Sequence, residues 1–584
     1  MENDIMRHLL LPLLLAALSL PVTLARAQES AAAPMPIIDY RERFLPAVAR
    51  QGMVSSPERL AAEAGIEMLR AGGNAVDAAV ATGLALAVTY PRAGNLAGGG
   101  FMLLHLADGA REVFIDYRER APAAATADLF IGADGKVDRA REFFSHASAG
   151  VPGTVSGLLL ALERYGTLPL ETVIAPAIRF AEDGIEVSFA LNYEIGQRAA
   201  RLRKNAEARR LFLDADGNAP AIGSHWRQPD LAWTLRQIAE HGRDGFYGGA
   251  VAERIVAEMQ RGNGLITAQD LADYRALERD PVRGRFRGFE IVSAPPPSSG
   301  GVHIVQMLNI LEAYDLAAMG PGSADYLHLL IESMRLAYAD RSRYLGDPDH
   351  VDVPVAGLTD KAYAARLRAG IDAGRARPSA EVAPGIRLAP EGSDTTHFTV
   401  ADRFGNVVSN TYTLNFSFGS HIAVPGTGML LNNEMADFAA QPGTPNAFGL
   451  VESDANAIAG GKRPLSSMSP TLVLRDGRPW LATGSPGGSV IITTVLQTLL
   501  NAMVFDMNVA AASAAPRLHH QWLPDRVRAE TGFSPDTLRL LEARGHTVEI
   551  GQRTLGRTQS IMLEDGWLYG ATDSRRPGGW VAAY

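Results

Sequence analysis

Residues 75–89, AVDAAVATGLALAVT, carry almost no side chain that prefers water. Asn74 stands at the N-cap and Asp77 three residues later, the spacing of a capping box, so the segment starts as a helix. A helix that is apolar nearly all round has no face to give to solvent and must lie between two packed layers. That requirement excludes a small two-layer fold. The helix before it, in SSPERLAAEAGIEMLRAGG from Ser55, reads as serine-capped, with Pro57 in the first turn and Gly72-Gly73 as its stop.

Strand signals complete the picture. GNLAGGGF (94–101) turns through glycines into FMLLHL, a strand rather than a helix, which suits tight packing better than a dinucleotide fingerprint. Residues 155–280 and 300–380 read as helix-rich, interrupted at APPPSSGG (294–301). Past residue 395 the pattern changes to β: TTHFTVAD and NVVSNTYTL flank one turn, PTLVL and PWLATG another. GSPGGSVIITTVLQTLLNAMV then runs through glycines into an apolar helix. Helices outside and strand pairs inside predict a layered α+β sandwich.

Composition narrows the function classes. The chain has no cysteine, which excludes disulfides, a thiolate nucleophile and thiolate metal sites. Its net charge is −9, without a basic cluster in the sequence that would suggest nucleic acid or an anionic membrane as partner. Residues 1–27 read as a cleavable signal peptide: Arg7, an apolar run from Leu9 to Leu20, then Ala25 and Ala27 around Arg26. The expectation is a periplasmic or secreted chain beginning at Gln28 with no membrane anchor. His519-His520 point to opposite faces of any regular element and no H-E-x-x-H motif occurs, so no metal and no cofactor are expected.

The run EGSDTTHFTVAD raises the chemical question. A threonine hydroxyl needs a base. His397 lies two residues along the same strand, roughly 6–7 Å away by strand rise, too far for a direct hydrogen bond. The remaining base is the α-amine of Thr395 itself, released by cutting the Asp394–Thr395 bond. Its reference pKa, about 7.7–8.0, leaves a fair neutral fraction, and a threonine paired with its own amine is a workable nucleophile.

The surrounding motifs are long: TTHFTVADRFGNVVSNTYTLN, LLNNEMADF, DANAIAGGKRPLSSMSPT, TGSPGGSVIITTVLQ and RLHHQWLPD, with GGNAVDAAVA, GNLAGGGFML, DYRERAP and SAGVPGTVSG upstream. Over nearly the whole chain these resemble γ-glutamyltranspeptidase, a family of N-terminal-nucleophile hydrolases. The resemblance implies a four-layer αββα sandwich and a precursor that cuts itself before Thr395. The products are a large subunit of 28–394 and a small one of 395–584, forming a heterodimer. It further implies that Thr395 takes the γ-glutamyl group from glutathione or a similar amide and passes it to water, an amino acid or a dipeptide.

Roles follow residue by residue. Arg118 clamps the donor's α-carboxylate, with Ser466 and Ser467 as added donors; a planar guanidinium suits that task. Asp437, Glu434 and Asn415 receive the α-ammonium, and a Gln in place of Glu434, as in some bacterial members, tunes that contact. Gly487 and Gly488 form the oxyanion hole ahead of a helix N-terminus. Thr413 hydrogen-bonds the nucleophile. The segment 439–453 is the lid, where many bacterial members have a tyrosine that bonds the asparagine at 415; this chain has Phe448, without a hydroxyl. Two rivals stay open. One is a β-lactam side-chain (glutaryl or cephalosporin) acylase or poly-γ-glutamate processing enzyme of the same fold. The other is a non-catalytic periplasmic binding protein.

Overall fold

The computed structural model describes residues 44–382, 395–442, 453–551 and 553–584. The signal-peptide reading, Asp394 and Phe448 with most of its lid fall outside these residues. The fold that carries the site is built by Pro46–Tyr584.

Period-two alternation with both faces buried organises that fold. In the strand Thr396–Asp402 every residue is buried. Phe398 and Val400 pack with the helices Arg59–Arg70, Ala75–Thr89, Thr154–Tyr165 and Leu170–Asp183. The intervening residues turn the other way: His397 lies against Gly484, and Thr399 Oγ1 donates to Gln559 O at 2.9 Å, both on a second sheet or its flank. Neighbouring strands share this division, with Met102, Leu104 and Ile115 toward the helices and Phe101, Leu103 and Phe114 toward the second sheet.

Two seven-stranded sheets result, every pairing within them antiparallel. The first runs Trp580–Ala583, Gly52–Ser56, Thr396–Asp402, Val407–Thr413, Gly99–Leu106, Arg111–Tyr117 and Leu277–Arg279. The second runs Ala47–Ala49, Trp567–Thr572, Gln559–Glu564, Arg478–Thr483, Thr471–Arg475, Phe289–Ser293 and Val282–Phe286. Helices Gly300–Leu311, Ala324–Tyr344 and Val490–Met503 cover the outer face of the second. The architecture is helices, sheet, sheet, helices: an α+β sandwich of four layers.

Local readings meet this architecture with one correction. The helix Ala75–Thr89 has its capping box between Asn74 and Asp77, and all its residues are buried. The helix before it starts later than its sequence suggests. Its cap is Glu58, whose side chain accepts from Ala61 N at 2.9 Å, whereas Ser55 and Ser56 end a strand. Ser55 Oγ instead donates to Ala571 O of the opposite sheet at 2.9 Å. Pairing on both sides of the strand outweighs the local capping preference.

The triglycine of GNLAGGGF is a contact point without slack. A Cβ on Gly98 would lie 1.9 Å from Thr413 O, one on Gly99 2.6 Å from a Glu119 carboxylate oxygen, and one on Gly100 2.4 Å from Thr411 O.

Candidate active site

Thr395 sits directly before the central strand Thr396–Asp402, in the middle of the first sheet. Its neighbour across the ladder is the strand Val407–Thr413, where Thr396 pairs with Tyr412. Thr395 Oγ1 consequently reaches Thr413 Oγ1 at 3.4 Å, and the same Thr413 oxygen accepts from Asn415 N at 2.8 Å. Thr395 is 6% exposed. His397 is spoken for elsewhere: Nδ1 meets Thr411 Oγ1 at 2.8 Å and Nε2 meets Thr399 Oγ1 at 3.1 Å. Burial pushes its pKa down to about 3, so it is neutral at pH 7.

The second sheet supplies the opposite wall. Ser466 and Ser467 precede the strand Thr471–Arg475, and Gly487 and Gly488 follow the strand Arg478–Thr483. Both glycines have positive φ, +138° and +57°, conformations that turn the chain sharply into the helix Val490–Met503. Among the described residues neither glycine N–H has an acceptor. Unpaired amides just ahead of a helix N-terminus suit developing negative charge.

Thr395, Thr413, Asn415, Glu434, Asp437, Arg118, Ser466, Ser467 and Gly488 all line one cleft of about 340 Å³ of empty space, partly open to solvent. Gly487 lines a neighbouring cavity that also touches Thr395. Arg118 is fully buried. One of its terminal nitrogens bonds Glu434, the other lies 2.5 Å from Asp437 Oδ2, and Nε donates to Pro464 O at 3.1 Å. Tyr274 holds the Arg118 carbonyl at 2.7 Å and Asp116 its backbone N–H at 2.9 Å. Burial opposes the Arg118 charge, but Glu434, Asp437 and Glu119 outweigh it and hold its pKa above the ordinary arginine value.

Three carboxyls crowd this one guanidinium. Burial lifts the Glu434 pKa well above the ordinary carboxyl value against the pull of Arg118, and Glu119 and Asp437 push it the same way. Burial also raises Asp437, and brings Glu119 to about 7. The excess of carboxyls over cations at this buried site favours their protonated forms. Glu434 Oε2, Asp437 Oδ1 and Asn415 Oδ1 are buried acceptors that receive no hydrogen bond. Asn415 is held there by a strained backbone, φ +74°, and by its amide donating to Asn433 O at 3.0 Å.

Two charged residues at this site were not singled out from the sequence, Glu119 behind Arg118 and Arg341 in the cleft lining. Glu119 follows Arg118 and its signal was the doubled charge of DYRERAP. Arg341 lies on the helix Ala324–Tyr344, 2% exposed, donating from Nε to Ser299 Oγ at 2.9 Å and from a terminal nitrogen to Ser467 Oγ at 3.3 Å. The helix carries several other charged residues, Glu332, Arg335 and Asp340 among them, so nothing in the sequence set Arg341 apart. Away from the cleft, His328, Glu332 and His546 form a group with metal-ligand spacing. There His328 Nδ1 meets His546 Nε2 at 2.7 Å and Glu332 pairs with Arg335. The lid reading at 439–453 leaves only its ends in view, where Ala439 bridges to Ala457.

Comparison with known proteins completes the description. The family model for gamma-glutamyltranspeptidase matches residues 61–583. The glutathione hydrolase proenzyme of Escherichia coli (strain K12) is 51% identical over 560 residues, 95% of this chain and 96% of that protein. A crystal structure of cephalosporin acylase from Bacillus halodurans superposes with a TM-score of 0.82 at 30% identity, covering 94% of this chain and 98% of that one. The crystal structure of Helicobacter pylori gamma-glutamyltranspeptidase gives 0.56 at 42% identity, over 60% of this chain and 99% of that one.

Proposed function

The chain belongs to the gamma-glutamyltranspeptidase family, an enzyme family of hydrolases and transferases, and from that premise we propose a γ-glutamyl transferase and glutathione hydrolase that matures by cutting itself before Thr395. One observation carries the choice of substrate. Three buried oxygens, on Glu434, Asp437 and Asn415, lack donors in the cleft that holds Thr395. An α-ammonium brings three N–H donors and a positive charge, and it would also allow the raised carboxyls to give up their protons. A glutaryl side chain has no such group and would leave those oxygens buried and unpaired, which disfavours the glutaryl-acylase reading.

Maturation starts with Thr395 Oγ attacking the carbonyl carbon of Asp394. The acyl group moves from nitrogen to oxygen, and water hydrolyses the ester, leaving Thr395 with a free amine. In turnover that amine takes the Oγ proton as Oγ adds to the γ-carbonyl of the donor. The N–H groups of Gly487 and Gly488 receive the oxyanion. The amine product leaves with the proton, and the γ-glutamyl ester on Thr395 passes to water or to an acceptor amine. Thr413 holds the Thr395 hydroxyl in place. Arg118, with Ser466 and Ser467, takes the α-carboxylate, and Arg341 fixes the Ser467 hydroxyl that helps.

After scission the halves stay interlocked as a heterodimer. Strands Thr396–Asp402 and Val407–Thr413 lie between Gly52–Ser56 and Gly99–Leu106 of the large piece. The reading also places the enzyme in the periplasm or outside the cell, on the sequence of residues 1–27. Among the described residues no helix is long and apolar enough to cross a membrane.

The test is a denaturing gel together with turnover of a chromogenic γ-glutamyl anilide, with and without glycylglycine. Wild type is expected as two bands, the smaller beginning Thr-Thr-His-Phe, and active. A single uncut chain that turns over the anilide would contradict the scheme.

A further inference from the structure

The layer of helices over the second sheet holds a polar cluster that the γ-glutamyl chemistry does not use. His328 and Glu332 stand four residues apart on the helix Ala324–Tyr344, so both project from one face. His546 reaches them from the turn after the helix Pro535–Ala543. One ligand atom of each lies within 4.8 Å of the others, and all three side chains are buried. No sequence motif announces the group, because 218 residues separate His328 from His546.

The hydrogen bonds around the cluster fix its donors. His328 Nε2 lies 2.7 Å from the carbonyl of Asp372, which can only accept, so that nitrogen carries the proton. Its Nδ1 is left as a lone pair, 2.7 Å from His546 Nε2. An imidazole that gives one N–H to a backbone carbonyl and turns its other nitrogen inward is arranged as a metal ligand with its outer support. Arg335 supports the third group, donating to Glu332 Oε1 at 2.7 Å, and Asp525, 3.2 Å from the other terminal nitrogen of Arg335, offsets the arginine's charge. Burial lowers the pKa of both histidines, that of His546 to about 3, so both rings are neutral at pH 7. His546 Nδ1 is buried without a partner, so this ring is hydrogen-bonded only through the edge that faces His328. Two imidazoles on one tetrahedral ion stand roughly 3.3 Å apart at metal–nitrogen lengths of about 2.0–2.1 Å, so a withdrawal of the His546 ring by about half an ångström makes room.

We infer that His328, Glu332 and His546 form a binding site for a divalent ion of the zinc class, completed by water, that ties the large subunit to the small one. Two imidazoles and a carboxylate suit zinc and its neighbours, whereas calcium and magnesium take shells of oxygen. His328 and Glu332 precede Thr395 and His546 follows it, so in the cut chain the ion spans two polypeptides. A chain without cysteine has no disulfide to do this. Ion binding is independent of the γ-glutamyl reading, and the cross-link rests on the scission which that reading includes.

Purified full-length enzyme, stripped with a chelator and titrated with zinc chloride in a calorimeter, tests the site. The expected result is about one ion per chain at micromolar or tighter Kd, and a visible absorption band of tetrahedral type when cobalt(II) replaces zinc. His546→Gln keeps a donor toward His328 Nδ1, and with it the hydrogen bond, but removes a ligand. It is expected to melt at the wild-type temperature without metal and to bind zinc more than about 100-fold more weakly, beyond the cost of losing outer support. Zinc is also expected to raise the urea concentration at which the wild-type subunits separate. Wild type that takes up no zinc, or a glutamine variant that binds it as tightly, would overturn the site. Zinc bound with subunit separation unchanged would strike out the cross-link. A chain that stays uncut on a denaturing gel removes the cross-link and the scission reading together, while the zinc titration still decides the site.

Discussion

The two sides of Thr395 solve recognition in opposite ways. On one side Arg118, Glu119, Glu434 and Asp437 are nearly or fully buried, in contact with one another, and carry more carboxyls than cations. On the other, in the neighbouring cavity, arginines outnumber acids, with Arg553 exposed and Arg576 half-buried. A buried network discriminates through the cost of leaving any member unpaired, so its selectivity is steep and local. A solvated excess of one charge attracts over a longer range, tolerates varied partners and weakens in salt. The contrast suits a reaction with one fixed donor head group and many amine partners.

Both sides depend on the residue between them. Thr395→Ala should remain a single polypeptide on a denaturing gel, with turnover of the anilide reduced by more than about 10⁴-fold. Residual self-cleavage in that variant would remove the common centre from the comparison. Next in size is the buried side. Asp437→Ala leaves Arg118 short of a partner and should lower kcat/KM for the donor by about 10²–10⁴-fold, in line with about 3–5 kcal/mol for breaking a buried pair. An effect below tenfold would mean that this side is as forgiving as the other.

Smaller effects sharpen the electrostatics. Burial raises the pKa values of Glu119 and Glu434, so they favour the protonated form, whereas an ammonium favours the ionised one. Raising the pH through about 7, the Glu119 value, should therefore increase kcat/KM for the donor, until the substrate amine itself loses its proton. A pH series on wild type and Glu434→Gln measures this, and the variant should show a shallower rise with a loss of about tenfold or less. Smallest is the response to salt. From about 50 to 500 mM NaCl the KM for glycylglycine should rise several-fold and the KM for the donor by less than about twofold. Equal salt responses would erase the distinction between the sides.

Much of the buried side could be read from the chain only through the family resemblance, which its compact, unusual strings carry. DYRERAP, LLNNEMADF and PLSSMSP each bring a charged or hydroxyl group beside residues that fix a turn. A layered fold was legible because a helix like Ala75–Thr89 has no surface position to occupy, and the number of layers came from the family resemblance. What stayed hidden depends on tertiary pairing. Ser55 looks like a cap until two flanking strands claim its backbone, and Glu58 takes the role. Arg341 looks like a solvated charge on a helix until the Ser466–Ser467 turn folds over it. The arginines of the neighbouring cavity come from positions 92 to 576, each ordinary by itself, and no local pattern joins them.

The triglycine at 98–100 sets a mechanical tolerance for the whole reaction centre. Hydrogen atoms are all that separates this loop from the carbonyl of Thr413 on one side and the Glu119 carboxylate on the other. It works as a gauge block of minimum thickness, fixing how far the Thr413 end of its strand stands from Glu119 and the acids around Arg118. Even a methyl group would thicken it by about an ångström, and misplacement on that scale is enough to cost on the order of 10²-fold in rate. The centre can therefore be retuned by exchanging the groups around its rim, but not by widening its frame.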